Sequence, residues 1–501
     1  MALESFGDVE DDFARTLVAA LTQAARSGAF VEARAGQIYV ARAGVRMIDT
    51  DVRLRMNGAT IIRSSTAPNE PVLSVINRLR AVSAAVSVDE TGGVSFIHLR
   101  SAAGWREGDV GRIVSDDQLA WSDTNQRRGE SFVVAAVNAN TLVTRQALRL
   151  KYASNVRVAR HAKRACVITE LRVQDDPGAP ESRNAPAVLL RGTVNAVVER
   201  PQFRNLSGEA LRIDCAYAPR TTDGVFADLR TSARDNAFGY GIREVGVTDG
   251  HHSGHQGRRL RHLYTSWATT SVVDDDRQIF KYGGVIGSVI ERCRVDEPED
   301  EGMSTHPDAF GVTFSDINVQ RAARGSIMLR GRACRAERCR SAGMGGLTIS
   351  GNRESGEHHV SDYGHLSEVR SGGAAALIVV GAAGSRTRNV VAATLDGSTG
   401  SAPIIVMREA KLAAQLSVAI DRRGNTPVEL ARLTGSELDV SSLTLRGAQP
   451  RTVGGVGATM SADPQSDLRL RSVAWREGTN SRKARIADPG TGADRRIIHI
   501  S

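Results

Sequence analysis

The sequence predicts an all-β solenoid, a chain wound into stacked parallel coils, on three observations. Short strands recur from about residue 166 to 447, among them Cys166–Ile168, Ala187–Leu190, Ala210–Ile213, Gly241–Val245, Val285–Val289, Gly325–Leu329, Gly346–Ile349 and Ala376–Val380. Their spacing is irregular but falls in the twenties: Gly325 and Gly346 are 21 apart, Ala210 and Gly239 are 29 apart. A period of that size, from three short strands and variable loops per coil, marks a solenoid. No helical periodicity separates the strands, which counts against a βαβ sheet. A β-sandwich is the alternative.

The first element is a helix, because Phe13, Leu17, Leu21 and Ala24 recur at four- and three-residue spacing. Asp8 and Asp11 place negative charge at its start and Gly28 ends it. Strand-like pieces follow at Phe30–Val31, Gly36–Val40, Val52–Met56 and Ala59–Ile62, with Arg53 and Arg55 alternating with apolar neighbours. Residues 75–165 depart from this pattern: Val94–Leu99, Asp109–Val114, Ser131–Val137 and Thr141–Thr144 are strands joined by uneven loops, a small β-rich insertion. The predicted organisation is a capping helix with the first coils over 1–74, the insertion over 75–165, and the solenoid over 166–447. A loop-rich terminal cap over 448–501, holding Gly454–Gly457 and Pro489–Gly492, completes it.

Composition fits such a fold. Of 501 residues 41% are hydrophobic but only 4% aromatic, so the core must come from Val, Ile, Leu and Ala. With 49 Gly and 14 Pro the chain can make many tight turns. The net charge of +9 is mild at this length, and no Lys/Arg block marks a nucleic-acid tail. Cations split into 5 Lys and 60 Arg. A GC-rich genome accounts for the bias, and Arg forks also suit carboxylates and sugar faces. Five Cys at Cys166, Cys215, Cys293, Cys334 and Cys339 form neither a disulfide framework nor a zinc spacing, and read as reduced core residues. The acidic amino terminus lacks a secretory signal pattern. The longest apolar run, Ala374–Ala383, is too short to span a bilayer, so no membrane insertion is expected.

Chemistry concentrates in residues 237–314, which hold five of the 11 His: His251, His252, His255, His262 and His306. The landmarks are Ala-Phe-Gly-Tyr-Gly-Ile from Ala237, the Arg261-His262 pair, and Ser-Thr-His-Pro-Asp from Ser304. Equivalent positions on adjacent coils lie about 4.8 Å apart, so His262 and His306, about two coils apart, would sit about 10 Å from each other on a solvent-facing flank. A lyase acting on a uronic acid needs a cation for the carboxylate and groups that remove and return a proton. Arg261, His262, Tyr240 and His306 supply those types; structural turns are the competing explanation for both His. A hydrolase needs two carboxylic acids, for which Asp308, on the His306 loop, leads Glu301 and Asp316. The run Asp296–Glu301 reads as a solvated loop. Tyr264, His255, Glu301 and Arg330 are the expected substrate contacts. No cofactor is expected; Asp274–Asp276 is the one candidate for Ca²⁺, and plain surface explains it as well. No trustworthy third ligand joins His251, His252 and His255 into a zinc site, while His358, His359 and His365 read as loop residues.

The helix, the Gly36–Val40 strand, the Asp51–Gly58 stretch and the Gly-Tyr-Gly-Ile, Arg-His and Thr-His-Pro landmarks together resemble one group. They look like the pectate-lyase-like right-handed single-stranded parallel β-helix proteins of bacteriophage tailspikes and bacterial polysaccharide lyases. The resemblance runs diffusely over residues 1–450. It implies a polysaccharide or cell-surface glycan bound along the flank, often cleaved, with an endo-acting lyase ahead of a hydrolase and a non-enzymatic receptor-binding tail protein as the alternative. It further implies a homotrimer, contacts with other tail proteins, and a place on the virion tail acting at the bacterial surface. No separate particle-binding domain is evident at the amino terminus.

Overall fold

The computed structural model describes residues 1–7, 12–119, 126–267, 282–343, 345–350, 365–373, 375–381, 388–397, 403–420, 428–446, 458–477, 480–483, 486–487, 491–492 and 495–500. Asp8, Asp11, the Asp274–Asp276 run, His358, His359 and Gly454–Gly457 lie outside them. The chain forms two compact units, Met1–Cys293 and Arg294–Ser501, and each is a parallel β-helix.

In the first unit every coil contributes three short strands to three parallel sheets. The first sheet stacks Val31–Glu32, Val52–Arg55, Cys166–Thr169, Val197–Glu199, Arg220–Thr222, His251–Ser253 and Val289–Glu291. The second stacks Ile38–Ala41, Thr60–Arg63, Arg172–Asp175, Gln202–Arg204, Val225–Ala227 and Gln256–Arg258. The third stacks Val45–Ile48, Leu73–Ile76, Val188–Arg191, Leu211–Asp214, Tyr240–Val245 and His262–Trp267. Because side chains alternate faces along a strand, one residue in two enters the interior, where like groups stack in register. Leu54, Ile168 and Val198 form one such column, and Phe203 stacks on Phe226 at 5.5 Å in the second sheet.

From Cys166 on, the corner that follows each strand of the first sheet turns on a single left-handed residue: Glu170, Arg200, Asp223, Gly254 and Arg292, with φ between 49° and 72°. Most of these are not glycine, which costs of order 1 kcal/mol each. Inter-coil hydrogen bonds hold them there, such as Glu170 N–H to Glu199 O and Arg200 N–H to Thr222 O, and charge alternates up the corner, with Arg200 bound to Glu170 at 2.8 Å.

The helix α1 (Phe13–Ser27) buries Phe13, Leu17, Ala20, Leu21 and Ala24 against the first strands, with Phe13 stacked on Tyr39 at 5.2 Å. Asp12 caps it, its carboxylate accepting from Arg15 N–H at 3.0 Å, and Gly28 closes it at φ 70°. That helix covers the terminal coil, which would otherwise present an unpaired edge. Between Ile76 and Cys166 the chain closes a six-stranded antiparallel barrel from Arg80–Thr91, Val94–Leu99, Val110–Gln118, Arg127–Asn138, Thr141–Thr144 and Arg157–Arg160. Gly92 and Gly93, at φ 64° and 79°, make its first tight hairpin. Arg112, wholly buried, ties the barrel to the β-helix by donating to the carbonyls of Gly246 and Tyr282.

The second unit begins with the same three-strand coil and changes partway along. Thr313–Ser315 and Arg335–Glu337 form one row, and Arg294–Asp296, Asn318–Ala322 and Arg340–Gly343 form the next. At His365–Gly373 both rows meet in one long strand, which pairs with Arg335–Glu337 and Arg340–Gly343 together. Arg388–Gly397, Lys411–Ile420 and Glu437–Arg446 continue it. His365 thus opens a strand and is not a loop residue. The opposite wall runs from Met303–Ser304 through Ile327–Leu329, Leu347–Ser350, Leu377–Val380, Ile405–Arg408 and Val428–Thr434 to Ala458–Ala462, where Arg495–Ile500 adds antiparallel. All five Cys are free and buried. Among the described residues no helix is long and apolar enough to cross a membrane.

Candidate functional site

A concavity lies in the second unit, where the two strand rows merge. Asp316 and Arg338 are its left-handed corners, at φ 55° and 52°, and Glu368, at φ 56°, is the bulge that replaces a corner once the strand becomes continuous. Beside them runs an outward column fixed by strand register: Asn318 pairs with Arg340 and Arg340 with Arg370. Further along stand Gln415, Ser417, Ser442, Thr444 and Arg446. Together they line a groove of ≈ 840 Å³, within the range of ligand sites and large enough for several sugar rings. Asp316 accepts two hydrogen bonds from Arg338, both at 2.9 Å, and this carboxylate holds the Arg338 guanidinium above its ordinary range. The lining is hydroxyl, amide, guanidinium and carboxylate, the groups that hydrogen-bond sugar hydroxyls and acidic substituents.

The residues expected from sequence divide between the units. In the first, Tyr240, Arg261 and His262 come together on the third sheet. Tyr240 and His262 are register partners whose rings stack at 5.3 Å and 7°. Phe238 stacks on Tyr240 at 5.6 Å, and the Arg261 guanidinium lies 4.6 Å over Phe238. Arg243, ion-paired with Glu209, reaches Tyr240 and Trp267. The expectation that His262 faces solvent is corrected: it is 3% exposed, covered by its own stack.

His255 and Tyr264 are also corrected as substrate contacts, since both are buried in an interior polar chain. Gly224 N–H donates to His255 Nδ1 (2.8 Å), and His255 Nε2 meets Thr221 Oγ1 (2.7 Å). Thr221 Oγ1 meets His252 Nδ1 (2.8 Å), His252 Nε2 meets Glu244 Oε1 (2.8 Å), and Tyr264 O–H donates to Glu244 Oε2 (2.7 Å). A backbone N–H can only donate, so His255 Nδ1 accepts and its Nε2 carries the proton. Thr221 then accepts from His255 and donates to His252, which donates to Glu244. His255 is therefore held as a neutral ring and is linked to His252 through Thr221. Burial pushes His255 down to about 3, with the neighbouring His252 adding to the effect.

In the second unit Arg330 is 7% exposed and acts on the chain around His306. It donates from its backbone N–H to Thr305 Oγ1 (2.7 Å), from Nε to the Thr305 carbonyl (2.6 Å) and from Nη2 to Ser304 Oγ (2.9 Å). Arg330 thus positions the Ser304–Asp308 segment and is not an open substrate contact. His306 is half-exposed at a turn closed by Ala309 N–H on its carbonyl, Asp308 is 5% exposed, and Glu301 is half-buried. The expectations did not include Asn318, Arg340, Arg370 or Arg446, because residues on separate coils become neighbours only through a register that irregular loops conceal.

No family model matches the chain. Its fold is shared with solved phage tailspikes. The tailspike protein gp49 of Pseudomonas phage LKA1 aligns with a TM-score of 0.67 at 15% identity, over 97% of this chain and 88% of that one. Gp54 tailspike of Acinetobacter baumannii bacteriophage AP22, solved with an A. baumannii capsular saccharide, aligns at 0.66 and 10% identity, over 100% and 92%. The tailspike gp61 of Pseudomonas phage phi297 aligns at 0.59 and 13%, over 96% and 88%. The parallel β-helix is the fold that this chain shares with them.

Proposed function

We propose that this chain is a phage tailspike-like protein that binds a polysaccharide of the bacterial surface and cleaves it internally, working as a homotrimer beside other tail proteins on the virion. The observation that carries the proposal is the open polar groove of ≈ 840 Å³ on the flank of the second unit, in a fold whose solved relatives are tailspikes. A groove lined by hydroxyl, amide, guanidinium and carboxylate groups suits a hydroxyl-rich polymer. His306, on a loop that does not line this groove, takes the proton-transfer role, with Asp308 on the same loop and Arg330 holding that loop in place. Separately, in the first unit, the half-buried Phe238 beneath Arg261 offers a face for a sugar ring, with the buried Tyr240 and His262 rings stacked behind it. Lyase chemistry is favoured over hydrolysis because His and Arg dominate these segments.

The test is incubation of the full chain with host surface polysaccharide, followed by ultraviolet absorbance of unsaturated product and by polymer size. Growth of absorbance with loss of size is expected, and its loss in His306→Ala with stability within about 0.5 kcal/mol of the parent. Size loss without absorbance makes the protein a hydrolase. Retention of the polymer uncut makes it a binder, and an active, strongly destabilised His306→Ala makes that residue a structural turn.

A further inference from the structure

The second-unit groove carries a charge arrangement that a neutral sugar would leave unanswered. Arg340 and Arg370 are exposed register partners on adjacent parallel strands, and Arg446 lines the same groove. Strand spacing puts the two backbones about 4.8 Å apart, and like charges set opposite each other across strands are destabilising. Elsewhere several outer arginines meet a carboxylate on the next coil: Arg55 on Glu32, Arg200 on Glu170, Arg321 on Asp296, Arg471 on Asp439. The side chains of Arg340, Arg370 and Arg446 make no ion pair or hydrogen bond among the described residues. Of the two groove carboxylates, Asp316 is already bidentate to Arg338. The groove therefore holds four guanidiniums against two carboxylates, with its least compensated charge at the Arg340–Arg370 pair.

We propose that the Arg340–Arg370 pair reads acidic groups on the bound glycan, so that the substrate class is an anionic polysaccharide whose repeat carries a carboxylate or a phosphate. Guanidinium forks bind both groups bidentately, which fixes orientation as well as charge. Asn318, one strand before Arg340, and Ser417 and Thr444, further along the same outward row, supply neutral hydrogen bonds for the sugar hydroxyls between acidic groups. This inference rests on the glycan-binding proposal and adds to it the charge of the ligand.

The test is calorimetric titration of the full chain with a panel of bacterial polysaccharides: uronate-containing, phosphodiester-containing and neutral. Each bound uronate polymer is also titrated after chemical reduction of its carboxyls. The expected result is that the bound polymers are acidic, that carboxyl reduction or raised salt weakens binding at least about tenfold, and that the phosphodiester arm shows whether phosphate serves as well. Arg340→Gln and Arg370→Gln should each weaken acidic binding about tenfold with a melting temperature no lower than the parent's. Arg370→Lys, which keeps the charge and loses the fork, should fall between. Equal affinity for reduced and native polymer, or wild-type binding by both Gln variants, overturns the inference while leaving glycan binding standing. Binding in no arm overturns both.

Discussion

At the scale of single residues, the most specific feature of the first unit is the directed chain from Gly224 through His255, Thr221 and His252 to Glu244, met from the other side by Tyr264. Thr221 and His252 occupy the interior column that Leu54, Ile168 and Val198 fill on earlier coils. Glu244 reaches them from the third sheet. Gly250 is confined to glycine here by close approach, since a Cβ there would lie 2.1 Å from Glu244 Oε1. Every member is fully buried, so each proton and lone pair must be matched within the chain. Thr221→Val keeps the shape and removes the hydroxyl that both accepts and donates, leaving His255 Nε2–H and His252 Nδ1 without partners. At about 1–3 kcal/mol per orphaned group, and without strict additivity, the expected loss is about 3 kcal/mol in urea denaturation. A loss below about 0.5 kcal/mol would show that the hydroxyl does not link the two rings.

At the scale of elements, the barrel insertion is seated by several bonds to the β-helix, of which those of the wholly buried Arg112 are the most shielded. Arg112 reaches out of the strand Val110–Gln118 to Gly246 and Tyr282 of the β-helix, and Ser131 N–H donates to Thr248 Oγ1 alongside it (2.9 Å). Arg112→Met fills the volume but leaves two carbonyls without their donor, a loss of about 3 kcal/mol. Faster hydrogen exchange in the strands Val110–Gln118 and Arg127–Asn138 should accompany it; unchanged protection would mean that the remaining contacts seat the barrel. The elements differ in how far their sequences reveal them. Helix α1 is legible because its apolar spacing is local, although its cap is Asp12, one residue past the acidic cluster that marks its start. The insertion reads as β-rich, but closure into a barrel is set by antiparallel register between strands far apart in sequence. The parallel coils are legible from strand recurrence. The merging of two rows at His365–Gly373, which creates the groove, is not, because a single left-handed Glu368 looks like any loop residue. Tyr240, Arg261 and His262 are close in sequence and lie together on the third sheet, whereas burial of His262, His255 and Tyr264 depends on which face each strand turns inward.

At the scale of the whole molecule, the first unit should be acid-sensitive, and the direction follows from three buried groups. Burial holds His161 at about 4, helped by the Arg112 charge and opposed by its bond to the Gly192 carbonyl, against 6.5 in the unfolded chain. His255 stands at about 3 against the same 6.5. Below pH 6.5 the unfolded chain takes up protons that the folded chain refuses, so stability is complete above that pH and is lost on acidification. The full losses are about 3 and about 5 kcal/mol at 1.36 kcal/mol per unit. Glu130 acts in the opposite sense. Burial raises it to about 6 from 4.5, despite hydrogen bonds from Arg149 N–H, Leu150 N–H and Tyr152 O–H. Its folded form is protonated first, which returns about 2 kcal/mol as pH falls from about 6 to about 4.5. Two histidines against one carboxyl leave a net loss of about 1.4 kcal/mol per pH unit within that window, and about twice that just above and just below it. Hydrogen exchange of peptides from residues 1–293, measured from about pH 7.5 down to about pH 4, should show protection of the deepest strands falling on this profile after correction for intrinsic rates. His255→Gln should start less stable and lose one proton's worth of slope. Protection that stays flat from pH 6.5 to pH 4 would mean that His161 and His255 are not held neutral in the folded unit.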